Sequence, residues 1–160
     1  MRRRDLDELI SKAIMENYKK YYRLAYSYVR NAADAEDILQ EAAVSAIRKS
    51  NTLKNPKQVE TWLYRIVINR SIDFLRKYRY MESEEKLKNI STEDNYSDRD
   101  LQEIVERLKE PDRSIIKLRY YEELKLKEIA DILGLSLSQV KSRLYRVLKR
   151  LSITLKEEFE

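Results

Sequence analysis

The 25 residues from Leu126 to Arg150, LKEIADILGLSLSQVKSRLYRVLKR, decide how the chain reads. Lys127 to Leu133 is a short amphipathic run with Ile129, Ala130 and Leu133 on one face, and it stops at Gly134, the only glycine in the protein. Glycine tolerates the left-handed backbone that ends a helix. Leu135 to Ser138 then form a turn, with Ser136 or Ser138 available as N-cap of the next helix. At about 100° per residue, Val140, Leu144, Val147, Leu148 and Leu151 gather on one side of that helix, and Gln139, Ser142, Tyr145, Arg146 and Lys149 gather opposite. One side is core and the other is a reading surface, as in a helix-turn-helix whose second helix enters the DNA major groove. The plainer alternative is a helical hairpin with a solvated basic face. Ala130, Gly134 and Val140 weigh against it, because they stand where the two helices of such a motif cross closely.

Composition agrees with a helical protein. One glycine and two prolines in 160 residues leave few places to break long helices. Charged residues make up 38% of the chain and the net charge is +5, unevenly distributed. The absence of cysteine and histidine removes disulfides, thiolate chemistry, the usual zinc ligands and histidine acid/base catalysis. The basic start, Met1 to Arg4, runs into Asp5, Asp7 and Glu8 instead of an apolar stretch, so a secretory leader is not expected. No run approaches the roughly 20 apolar residues of a membrane span. A cytoplasmic protein without membrane insertion is the expectation.

From Leu6 to about Val29 the pattern predicts one helix. Leu9, Ile10, Ala13, Ile14, Leu24, Ala25, Tyr28 and Val29 form its apolar stripe, with Tyr18, Tyr21, Tyr22 and Tyr26 interleaved. These tyrosines can pack in the core with hydroxyls reaching the surface, or stack on bases. Asn31 to Asp34 breaks the helix, and Asp34 is the expected N-cap of the next, with Asp37 three residues on. Ile38, Leu39, Ala42, Ala43, Ala46 and Ile47 form its buried face; Glu36, Asp37, Gln40 and Glu41 form an acidic outer one. Acids there also compensate the helix dipole, which is reason enough for their presence.

Ser50 to Val59 reads as a polar loop in which Leu53 is the exposed apolar residue. Thr61 to Arg79 reads as a helix with Leu63, Val67, Ile68, Ile72, Phe74 and Leu75 inward. Along another side run Trp62, Arg65, Asn69, Asp73 and Arg76, a mixture of ring, amide and guanidinium groups able to bind phosphates and unstacked bases together. Asp73 can pair with Arg76 or orient Asn69. From Met81 to Asp100, Glu82, Glu84, Glu85, Glu93, Asp94, Asp98 and Asp100 dominate with little apolar periodicity, the composition of a flexible acidic linker. Beyond it, Leu101, Ile104, Val105 and Leu108 form a helix ending before Pro111. Asp112 is the expected cap of the next, with Ile115, Ile116 and Leu118 inward and Tyr120 and Tyr121 closing it. The expected organisation is all-α: two small helical domains, 1–80 and 101–160, joined by the linker 81–100.

Three stretches in order, NAADAEDILQEA, TWLYRIVINRSIDFLRKYR and DRSIIKLRYYEELKLKEIADILGLSLSQVKSRLYRVLKRL, resemble regions 2 and 4 of the group 4, extracytoplasmic-function sigma factors of bacterial RNA polymerase. The resemblance implies a region 2 helical bundle and a region 4 helix-turn-helix. It implies docking of Asp34, Asp37, Gln40 and Glu41 on the clamp helices of the polymerase largest subunit, with a further contact at the flap. A flipped base of the promoter −10 element falls to Leu53, Lys54 and Asn69, beside Trp62, Arg65 and Arg76. The −35 element falls to Lys141, Ser142, Tyr145 and Arg146, beside Gln139. The basic run that ends region 2 in the family is here Arg76, Lys77, Tyr78, Arg79. The family also implies silencing by an anti-sigma factor, often membrane-bound, and promoter recognition without catalysis or cofactor. One rival reading is a stand-alone helix-turn-helix regulator that oligomerises through its first domain. Another is a small nucleic-acid enzyme with Asp34, Glu36 and Asp37 around a metal.

Overall fold

The computed structural model describes residues 1–82 and 98–159, with side chains described outside 78–101 and 153–160. Its elements are α1 (Arg3–Glu16), α2 (Tyr18–Val29), α3 (Ala32–Arg48), the 3-10 turns Ser50–Thr52 and Pro56–Gln58, α4 (Val59–Glu82), α5 (Asp98–Arg107), α6 (Asp112–Tyr120), α7 (Leu126–Leu133) and α8 (Leu137–Phe159). No strand occurs among the described residues. The chain divides into two units, Met1–Ser91 and Thr92–Glu160. Residues 83–97 of the expected acidic linker lie outside the described residues. Helical backbone reaches into both ends of that stretch, since α4 continues to Glu82 and α5 begins at Asp98.

In the first unit α2, α3 and α4 pack on one another, and α1 packs against α3, α4 and the Ser50–Thr52 turn. Their shared core comprises Ile10 of α1, Tyr21, Leu24, Ala25 and Tyr28 of α2, Ala35, Ile38, Leu39, Ala42 and Ala46 of α3, and Leu63, Tyr64, Val67 and Ile68 of α4, all buried. Each fully buried Leu or Ile contributes about 1.5 to 3 kcal/mol. The alanines let α3 sit close to both neighbours. The single helix expected from Leu6 to Val29 is two helices. At Asn17 both the backbone N–H and the side-chain amide donate to the Ala13 carbonyl, at 3.1 and 2.9 Å, which ends α1 and lets α2 restart. The start of α3 also differs from expectation. Asn31 is its N-cap, its Oδ1 accepting from the Asp34 N–H at 3.0 Å, so Asp34 lies within the first turn.

In the second unit the core is Val105 of α5, Ile115, Ile116 and Leu118 of α6, Ile129, Ala130 and Ile132 of α7, and Val140, Leu144, Val147 and Leu151 of α8. The apolar face of α7 therefore turns about Ile132, with Leu133 half-buried. Asp112 does not cap α6: it is the first helical residue, and the preceding Pro111 offers no side-chain acceptor. The Glu110 carboxylate reaches over the first turn instead. It accepts from the Ser114 N–H at 3.3 Å and from its hydroxyl, and it pairs with Arg113 at 2.8 Å. Lys117, wholly buried, donates to Glu106 of α5 at 2.9 Å and lies 5.7 Å from the Tyr121 ring centre. A buried ammonium needs such partners, because desolvation alone costs several kcal/mol. Among the described residues three hold left-handed backbone: Arg30 after α2 (φ 55°), Glu123 before α7 (φ 53°) and Gly134 (φ 67°).

Candidate nucleic-acid interface

Gly134 produces the turn between α7 and α8. Its N–H and that of Leu135 both return to the Ala130 carbonyl, satisfying the end of α7. Ser136 then opens α8: its hydroxyl accepts from the Gln139 N–H at 3.1 Å, while Gln139 Oε1 accepts from the Ser136 N–H at 3.0 Å. This is a reciprocal capping box. Ser136, not Ser138, is the cap. Gln139, predicted to face DNA, is exposed and also occupied in holding the start of the helix. Lys141, Ser142, Tyr145 and Arg146 are all exposed, Tyr145 at 68%, and Val140, Leu144, Val147 and Leu151 are buried behind them. Arg143, between the two faces, reaches Asp112 at the start of α6 at 3.2 Å, clamping the helix to its scaffold. The outer face can thus offer an ammonium, a guanidinium, a hydroxyl and an aromatic ring to base edges and phosphates.

In the first unit the predicted stripe of α4 faces outward: Arg65, Asn69, Asp73 and Arg76 are exposed and Trp62 is half-buried. Asn69 and Arg76 also line a cleft of about 330 Å³ between the C-terminal part of α3 and α4, together with Ser45, Lys49, Ile66, Arg70, Ile72 and Asp73. Arg70 donates to the Ser45 hydroxyl across it at 3.1 Å. A mostly polar cleft in which two isoleucines stand beside a hydroxyl, an amide, three cations and one carboxylate can take a flat polar base, with phosphates on the cations. Ser45, Lys49 and Ile66 were not singled out from the sequence, which offered Arg70 only as part of a wider basic field. Lys49 lies four residues after Ser45, and Arg70 beside Asn69, so once α3 and α4 were placed side by side the spacing would have pointed to them. Among the described residues Asp73 forms neither the pair with Arg76 nor the bond to Asn69 that the sequence allows.

Leu53 differs from expectation. It is 6% exposed, a core residue anchoring the loop, and has no surface to offer a base. Lys54 beside it is exposed. The loop is ordered from within, by the Asn55 side chain accepting from the Lys57 N–H at 3.1 Å and the Thr52 hydroxyl donating to the Lys49 carbonyl at 2.7 Å. On α3, Asp37, Gln40 and Glu41 are exposed and Asp34 is half-buried. Val44 continues that face at 51% exposure, an apolar member the sequence reading passed over. An acidic rim around an apolar spot suits a protein contact better than a nucleic acid. Among the described residues no three carboxylates converge as a metal-holding group. No described helix is long and apolar enough to cross a membrane.

Residues 13–80 match the family model of Sigma-70 region 2, and residues 98–151 that of Sigma-70, region 4. The RNA polymerase sigma factor SigV of Bacillus subtilis (strain 168) is 41% identical over 154 residues, covering 94% of this chain and 93% of that protein. The ECF RNA polymerase sigma factor SigW of the same organism is 35% identical over 153 residues, covering 83% and 82%. Among solved structures, CnrH in complex with the cytosolic domain of CnrY aligns with a TM-score of 0.68 at 21% identity, covering 94% of this chain and 97% of that one. The sigma factor RpoE in complex with the anti-sigma factor NepR from Bartonella quintana aligns at 0.66 and 20% identity, covering 91% and 96%. These two likenesses concern the fold. With both family regions matched in order and relatives aligned along nearly their whole length, the chain belongs to the extracytoplasmic-function group of the sigma-70 family of RNA polymerase sigma factors.

Proposed function

We propose that this chain is a promoter-specificity subunit that joins core RNA polymerase in the cytoplasm and directs it to −35 and −10 elements, without catalysis of its own. The observation that carries the reading is the pairing of two unlike nucleic-acid surfaces in one chain. The outer face of α8 suits duplex DNA in the major groove, and the cleft at Asn69 suits an unpaired base. A stand-alone regulator needs the first and has no use for the second.

In this reading Lys141, Ser142, Tyr145 and Arg146 contact the −35 duplex, with Gln139 contributing from the capped end. Asn69 and Arg76 receive the unpaired −10 base and its phosphate in the cleft, and Lys54, Trp62 and Arg65, outside its lining, contact the adjoining strand. Leu53 supports that loop from below. Asp34, Asp37, Gln40 and Glu41 meet the clamp helices of the polymerase. Silencing by an anti-sigma factor accords with RpoE, a relative in fold that was solved with NepR.

The deciding experiment is transcription in vitro with purified core polymerase on a library of randomised promoters. Transcripts should depend on this protein and share upstream and −10 sequence motifs. Full-affinity promoter binding by the protein alone, with no transcription when core is added, would overturn the proposal in favour of the stand-alone regulator.

A further inference from the structure

The exposed edge of α2 carries a feature for which neither the fold nor the cleft accounts. Tyr18, Tyr22 and Tyr26 follow one another at intervals of four residues, so their rings rise one above the next along the helix. The centroids stand 6.4 and 6.2 Å apart, and successive planes differ by only 18° and 24°. Tyr18 is 43% and Tyr26 40% exposed. The core of the unit takes its aromatic groups from elsewhere on the helix, namely Tyr21, edge-on to Tyr64 at 5.1 Å, and Tyr28. Packing therefore does not require the ladder, and an exposed helix face is served better by Lys, Glu or Ala, which favour helix and water.

Lys19 lies, at about 100° per residue, just beyond Tyr26 on the side away from the core and is exposed, and Arg30, also exposed, follows the end of the helix. No acidic residue occurs within Tyr18–Val29. Parallel flat rings bordered by cations match a partner that has flat groups in series along a line of negative charge. An acidic peptide satisfies the charge and leaves the rings without counterparts, and an apolar partner helix would have to desolvate the cations. An unpaired nucleic-acid strand satisfies both.

We propose that Tyr18, Tyr22 and Tyr26 form a stacking platform for single-stranded nucleic acid, separate from the cleft at Asn69. It lies in the same unit as the cleft, so a strand opened there has a second place to rest. The platform itself does not depend on promoter recognition.

The test uses the full-length protein and fluorescence anisotropy with a labelled oligothymidylate of about 20 nucleotides, beside a duplex of equal length, at low salt. Two triple variants are compared: Y18L/Y22L/Y26L, which keeps apolar bulk, and Y18F/Y22F/Y26F, which keeps the rings. Circular dichroism verifies that both retain helix. The leucine variant should bind the single strand about tenfold or more weakly, the phenylalanine variant within about twofold of the parent, and duplex binding should be unchanged in both. The proposal is overturned if the parent does not bind the single strand, if the leucine variant binds it like the parent, or if both variants lose binding equally. An equal loss on duplex also overturns it. Promoter-dependent transcription is a separate readout, so failure of the platform and failure of the proposed function are told apart.

Discussion

Ser136 and Gln139 each satisfy the other's backbone N–H across the first turn of α8, at 3.0 and 3.1 Å. A residue placed to face DNA is thus also a structural part of the helix that carries it. Ser136→Ala should lower the stability of the second unit by about 1 kcal/mol. Gln139→Ala should cost a similar amount, whereas Gln139→Glu, whose carboxylate oxygen can replace the amide oxygen as acceptor, should stay within about 0.5 kcal/mol of the parent. Urea unfolding followed by circular dichroism distinguishes these. Equal losses in the two Gln139 variants would show that the acceptor oxygen at this position contributes nothing to the cap.

The two arginines of α8 should separate by what they touch. Arg143, ion-paired with Asp112, faces the scaffold, so Arg143→Ala should destabilise the unit by about 1 kcal/mol. Arg146 is exposed, and Arg146→Ala should leave unfolding within about 0.5 kcal/mol while weakening holoenzyme binding to the upstream element by about 1 to 3 kcal/mol. Both quantities come from one pair of purified variants, one by denaturation and the other by titration of labelled promoter.

Leu53 and Asn69 make a similar contrast in the first unit. Truncating the buried Leu53 to alanine should cost about 2 to 5 kcal/mol of stability. Asn69→Ala, at an exposed position on the cleft, should keep the fold and lower holoenzyme affinity for an unpaired −10 strand. A Leu53→Ala protein of unaltered stability would contradict its burial.

Asp37 is exposed on α3 beside Gln40, Glu41 and the apolar Val44. Asp37→Arg should impair co-purification with core polymerase while leaving the helical spectrum unchanged. Loss of helicity in step with loss of binding would mean that the acidic face is holding the fold instead of a partner.

Among the described residues Tyr21 carries the one clear alkaline signature. Its hydroxyl is buried without a hydrogen-bond partner, and burial, reinforced by neighbouring Tyr64 and Glu60, pushes its pKa far above the ordinary tyrosine range. The folded state therefore keeps the proton when the unfolded chain, titrating near pH 10, releases it. This contribution to stability is complete below about pH 10 and declines above it. Tyr21→Phe should flatten that decline and, by removing an unsatisfied hydroxyl, raise stability at neutral pH by up to about 1 kcal/mol. Urea midpoints of the two proteins at pH 7 and at about pH 11 measure both effects.

The second unit was readable because its two signals are local. Gly134 announces a helix end, and the faces of α8 follow from spacing alone. The outward stripe of α4 was legible for the same reason. What escaped depends on partners distant in sequence. Leu53 looks exposed because its neighbours are polar, and only packing within the unit shows it turned inward. Asn17 splits a continuous periodic pattern because its side chain finds the Ala13 carbonyl, and hydrophobic spacing does not register that competition. Lys117 reads as surface until Glu106, eleven residues earlier, is brought beside it. The cleft needed Ser45 and Arg70 from two helices, a pairing that neither helix states by itself.

Arg30 and Glu123 turn corners in a conformation usually left to glycine. Such a torsion strains an L-residue by about 1 to 2 kcal/mol, yet a glycine there would hand the denatured ensemble extra freedom worth about 0.4 to 1 kcal/mol. The second offsets about half of the first. A polypeptide can therefore forgo its most pliable building block for about 1 kcal/mol or less, and retain a cationic or anionic group at each bend.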